Sequence, residues 1–113
     1  MKHFVFGEIY LKNDAWVRPY LRDINAFIEK HGGMVLSRSI NMEKIEGDRE
    51  LPTNVILIEF PSREAAIGFF EDPAYQPLRR LRLEGARSEF TMFPAEDLAL
   101  LVAEDAKRQT RAK

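Results

Sequence analysis

The chain contains no cysteine. That excludes disulfide stapling, thiol nucleophiles and thiolate metal sites together. It has two histidines, His3 and His31, far apart and in no HxH or HxxxH spacing, so no metal-binding pattern is visible. Neither sign of charge dominates. Seventeen Lys and Arg against eighteen Asp and Glu leave a formal charge of -1, which gives no basic field for nucleic acid. No apolar run approaches the roughly 18 residues of a membrane span, and the start does not resemble a signal peptide. The expectation is therefore a cytoplasmic protein, with neither nucleic acid nor membrane as partner. Gly32, Gly33 and Gly47 do not form the GxGxxG spacing of a nucleotide-binding loop. No flavin or nicotinamide cofactor, and no metal, is expected.

What is present is ordinary globular composition. With 45% hydrophobic and 31% charged residues over 113 positions, the chain can bury one real core. Residues 3–11, HFVFGEIYL, alternate as a strand, with Val5 and Ile9 on one parity and Phe4, Phe6 and Tyr10 on the other. Both faces are semi-apolar, so helices are expected on one and a further cover on the other. A helix follows, with Asn13 or Asp14 as its cap and Trp16, Tyr20, Ile24, Phe27 and Ile28 near helical spacing. His31 ends it, and Gly32 or Gly33 supplies the left-handed cap. MVLSRSI, 34–40, reads as a second strand. NVILIEF, 54–60, is nearly all apolar and reads as a central one. Ser62 caps a second helix with Ala65, Ala66, Phe69 and Phe70 inward. Asp72 and Pro73 close it, and Pro77 marks a bent second segment over 73–82. ARSEFTMFPA, 86–95, is the fourth strand. A small helix around Leu98, Leu101 and Val102, fraying into a charged flexible tail, completes a division into a 1–95 domain and a 96–113 extension.

The order β-α-β-β-α-β is the ferredoxin-like α+β pattern, with a four-stranded antiparallel sheet. A partner sheet from an identical chain would cover the second face, and the expected assembly is a homodimeric α/β barrel.

Several stretches together are similar to a known family. They are HGG at 31–33, the SRSINMEKIEG run with its Glu46-Gly47 pair, the EFPS junction at 59–62, and YQPL at 75–78 within IEFPSREAAIGFFEDPAYQPLRRLR. In combination, over about residues 3–93, they resemble the DUF1330 family within the dimeric α/β barrel superfamily. The resemblance implies barrel dimers and carries no settled reaction. The wider superfamily includes cofactor-free monooxygenases acting on aromatic polyketides, haem-degrading enzymes and lactone isomerases. One departure stands out. Ser39-Ile40 occupies the place of a glycine-rich pair after Arg38, which puts a tight turn there in doubt.

The candidate catalytic residues are His31, Arg38 and Tyr75. His31 at a helix end suits a capping contact, and equally proton transfer near neutral pH. Arg38 can hold a carboxylate by a two-pronged contact or form a salt bridge at the rim. Tyr75, framed by Pro73 and Pro77, either presents its hydroxyl to a pocket or closes an edge. The candidate ligand-binding residues are Tyr10 at a strand end, Trp16 and Tyr20 as a packing stripe or a pocket wall, and Arg79. Arg79 and Arg82 are three apart and can share a helix face, as a solvated surface or as a pair facing an anion. Two functions follow. One is a small protein that binds or transforms an acidic or aromatic organic ligand without a cofactor. The other is a non-catalytic homodimeric structural or regulatory module.

Overall fold

The computed structural model describes residues 1–111. The elements run β1 (His3–Leu11), α1 (Val17–Lys30), β2 (Met34–Ser39), β3 (Asn54–Phe60), α2 (Arg63–Glu71), α3 (Gln76–Gly85), β4 (Ala86–Pro94) and α4 (Leu98–Arg111). The strands form one antiparallel sheet in the order β2-β3-β1-β4. The ferredoxin-like α+β reading therefore stands, with the second helical layer divided into α2 and α3 at the Asp72-Pro73 break.

The expected barrel does not form. The sheet is open: its outer strands β2 and β4 lie at opposite edges with β3 and β1 between them. Four strands are too few to curl into a closed ring, which needs about eight for an interior that side chains can fill. β2 is also short and irregular, its register slipping at a bulge between Val35 and Ser37.

Strand parity decides which side chains meet the helices. Val5, Gly7 and Ile9 pair across β1 with Ile58, Ile56 and Asn54 of β3, and with Met92, Phe90 and Ser88 of β4. This face carries the core, where Val5, Ile58, Phe60, Ala66, Phe69, Tyr75 and Ala86 are buried together with the Trp16–Tyr20–Ile24–Ile28 stripe of α1. The opposite parity of β1, β3 and β4 holds Phe4, Phe6, Tyr10, Leu57 and Phe93. Phe4 and Phe93 touch there, ring centroids 5.7 Å apart. Residues Leu98, Leu100, Leu101 and Val102 of α4 are exposed, and that helix takes in the stretch expected as a tail up to Arg111. Residues 112–113 of that expected tail lie outside the described residues. Among the described residues no helix is long and apolar enough to cross a membrane.

The local signals have identifiable causes. Ser62 accepts a hydrogen bond from the Ala65 N–H at 3.0 Å, a cap that contributes about 1 kcal/mol. Gly32 adopts φ +77°, the left-handed region that terminates α1. At the start of α1 neither Asn13 nor Asp14 caps with its side chain. The helix begins after Trp16, with the Val17 N–H bonded to the Asp14 carbonyl at 3.1 Å. The indole takes over the job of fixing this end. Its Nε1 donates to the carbonyls of Asn13 (2.9 Å) and Gly85 (3.1 Å).

Candidate functional site

Between α1 and the sheet lies a cavity of about 330 Å³. Its walls are Ile24, Ile28, Ile56, Ile58, Phe69 and Phe90, and Trp16 and Tyr20 line it from the helix. Polar groups are few, as in most small-molecule sites. They are the hydroxyls of Tyr20 and Tyr75, Asn54 at the start of β3, and Arg38, Ser39 and Asn41 at the end of β2 and just beyond it.

Each wall has a local reason. Trp16, Tyr20, Ile24 and Ile28 follow one another at four-residue intervals, so all four fall on the helix face turned to the sheet. The tryptophan ring lies against Gly85, where any Cβ would come within 2.1 Å of the indole. Only glycine leaves room, so the end of α3 sets the position of the only tryptophan in the chain. Trp16 and Tyr20 meet edge to face at 5.2 Å, which holds the phenol inward.

Tyr75 arrives from the other side. It is 1% exposed, its ring stacks on Phe69 at 4.5 Å, and its hydroxyl lies 3.0 Å from that of Tyr20. The turn that delivers it is pinned by Asp72. One carboxylate oxygen of Asp72 accepts from Lys30 Nζ and from His31 Nε2, both at 2.8 Å, and the other accepts from the Ala74 N–H at 2.9 Å. The bonds from Lys30, then His31, then Ala74 hold the Asp72 carboxyl well below the usual carboxylate range. It is therefore ionised and can only accept, so His31 carries its proton on Nε2.

Burial pushes the Tyr20 phenol well above its ordinary value, with the Tyr75 phenol adding to the rise and the Arg82 charge opposing it. Tyr20 is a neutral hydrogen-bonding group at physiological pH, not a base. Arg38 is exposed at the cavity mouth, where its Nη2 donates to Asn25 Oδ1 at 2.9 Å. Partial burial lowers its pKa, and the Tyr20 phenol counters that shift. Asn54 Oδ1 is buried without a hydrogen-bond partner. A buried carbonyl left unpaired is costly, and Asn54 stands in the cavity wall.

The structure thus gathers Trp16, Tyr20, Arg38 and Tyr75 around one cavity. His31 does not line it and is engaged with Asp72 behind Phe69. Tyr10 lies on the other parity of β1, under the Arg87 guanidinium at 3.9 Å, with its hydroxyl bonded to the Glu50 carbonyl at 3.3 Å. Arg79 donates to the Phe70 carbonyl at 3.1 Å and lines a different cavity. Asn54 was not among the expected site residues. Its parity was the available signal: it shares the face of Ile56 and Ile58, so an amide begins an otherwise apolar inward row. Gly85 gave no signal, because its role depends on a tryptophan 69 residues away in sequence. Among the described residues no group of three His, Asp or Glu stands together as a metal site would require.

The family model described as a domain of unknown function, DUF1330, matches residues 2–95. The chain belongs to the DUF1330 family. Among solved structures it is similar to a protein of unknown function from Rhodopseudomonas palustris, at 20% identity and a TM-score of 0.71, covering 85% of this chain and 84% of that one. It is also similar to SnoaB, a cofactor-independent oxygenase from Streptomyces nogalater, at 13% identity and a TM-score of 0.64 over 85% and 94% of the two chains. A dimeric ferredoxin-like protein of unknown function from Jannaschia sp. CCS1 matches at 10% identity and a TM-score of 0.62, over 84% and 100%. At these identities the likeness shows the shared fold. A comparison with curated protein sequences finds no match.

Proposed function

We propose that this DUF1330 protein binds a small, planar organic ligand in the cavity between α1 and the sheet. The observation that carries this reading is the cavity itself: apolar walls, a tyrosine pair at the back, an Asn54 with an unpaired oxygen in its wall and an arginine at the mouth. An aromatic body suits the walls. A hydroxyl or N–H on the ligand suits Asn54 Oδ1, and an acidic or enolic oxygen suits Arg38.

The finer reading is that the ligand is converted there without a cofactor. Its support is the fold shared with SnoaB, a cofactor-independent oxygenase. In this reading Arg38 orients the acidic or enolic group, and the one hydroxyl hydrogen left free by the Tyr20–Tyr75 bond is donated to charge that develops on oxygen. His31 keeps only an indirect part, by holding the Asp72 turn that places Tyr75.

The protein is further read as a homodimer. The second sheet face, with half-buried Phe4, Phe6 and Leu57 and exposed Phe93, offers an apolar surface to a second copy, and the Jannaschia protein of the same fold is dimeric. Leu57→Glu should turn a dimer in sedimentation into a monomer.

The test of the binding reading is a titration with 1-naphthol followed by the fluorescence of Trp16. Saturable quenching is expected, with affinity falling about five- to tenfold in Arg38→Ala at unchanged oligomer mass. An Arg38→Ala variant that dissociates or unfolds would place Arg38 in the scaffold. Oxygen consumption with the same phenol tests the conversion separately.

A further inference from the structure

A second cavity, of about 510 Å³, opens on the other side of α3, walled by Val5, Ile67, Phe70, Phe90 and Met92. Arg79 and Arg82 of α3 both line it. Arg82 is 2% exposed, so it does not belong to a solvated charged face. Its guanidinium lies 4.4 Å above the Phe90 ring, its Nη1 donates to Ser88 Oγ at 2.5 Å, and it also faces the Tyr20 phenol. None of these partners is a carboxylate. The Nε atoms of both Arg79 and Arg82 are buried without an acceptor. Among the described residues no ion pair includes either arginine, and Glu71, the carboxylate on the same cavity wall, pairs with neither. A buried cation without a counter-ion is costly, and a guanidinium with unspent donors is shaped for a two-oxygen anion.

We propose that Arg79 and Arg82 form a second, separate binding site for a small organic carboxylate. The carboxylate meets the two guanidinium groups, and its hydrocarbon part rests against Phe70, Ile67 and Met92. This site shares Phe90 with the cavity under α1, whose proposed ligand it does not require.

The experiment is a benzoate titration of the full chain, read by methyl NMR against chloride at matched ionic strength. Saturable shifts are expected at Ile67 and Met92, and they should persist in Arg38→Ala, whose arginine belongs to the first cavity. Arg82→Met should lower the benzoate affinity at least about tenfold. If Arg82→Met does not fold, Arg79→Gln, at the half-buried rim of the site, carries the test, with a loss of at least about threefold. Absence of saturable shifts at Ile67 and Met92 in the wild type overturns the proposal. So does affinity retained within twofold in the variant that folds. Failure of 1-naphthol to quench Trp16 bears on the first cavity alone.

Discussion

Two polar clusters flank Phe69, and they contrast. On one side, Lys30, His31 and the Ala74 N–H spend their hydrogens on Asp72. On the other, Tyr20 and Tyr75 bond each other beside a cavity, with the Asn54 oxygen unpaired nearby. The first cluster contains the residue type most associated with catalysis, and three hydrogen bonds already converge on its carboxylate, which lies outside the cavity lining. The second is built of residues that read as packing, and it faces open space. The proposed site therefore rests on unspent hydrogen-bonding capacity next to a void, not on residue type. The two clusters are also linked in sequence: Asp72 fixes the turn, and three residues later Tyr75 reaches the cavity.

The contrast predicts different responses to substitution. The largest effect should come from Phe69→Ala, which removes the ring between the clusters. It should cost about 3–5 kcal/mol in denaturant unfolding, because Phe69 is buried and stacked on Tyr75. Next is the acid response of the Asp72 cluster. The Asp72 pKa is depressed in the folded protein, so its contribution is present above its ordinary value of 3.8 and is lost as pH falls through the lower folded value. Asp72→Asn should lower the melting temperature at neutral pH and flatten the decline below about pH 4. A variant as stable as wild type would remove the Asp72 cluster from the scaffold.

Tyr75→Phe should have a smaller effect on stability, about 1–3 kcal/mol, since it leaves the buried Tyr20 hydroxyl without that partner. Its effect on 1-naphthol affinity should be larger than that of Asp72→Asn at a temperature where both are folded. The reverse order would exchange the roles assigned to the two clusters. The smallest effect is alkaline. The Tyr20 pKa is raised on folding, so its contribution is complete below its ordinary value of 10.0 and declines as pH rises above it. Tyr20→Phe should remove that part of the alkaline decline in a pH series of melting temperatures.

Much of the fold was legible because its signals are local. Alternation placed β1, the apolar run placed β3, four-residue spacing gave α1 its inward stripe, and Ser62 and Gly32 marked helix ends. The closure of the sheet was not legible: alternation shows that β1 has two apolar faces, not whether β2 and β4 meet. Part of the cavity lining was legible: Trp16, Tyr20, Arg38 and Tyr75 all line it, two on one helix face and two near the ends of elements. The bond of His31 to Asp72 was not legible, since the two are 41 residues apart and no spacing reveals it. Arg82 was hidden among charged neighbours in RRLRLE, where helical spacing alone does not separate a buried cation from a solvated one.

The most direct test of the central claim is methyl NMR of the isoleucines during addition of 1-naphthol. Ile24, Ile28, Ile56 and Ile58 all line the first cavity, and Ile67 lines only the second. The account predicts saturable shifts at those four, together with quenching of Trp16, while Ile67 stays in place. Saturable binding that moves Ile67 and leaves the four unmoved, or no saturable shift at any of them, would contradict it.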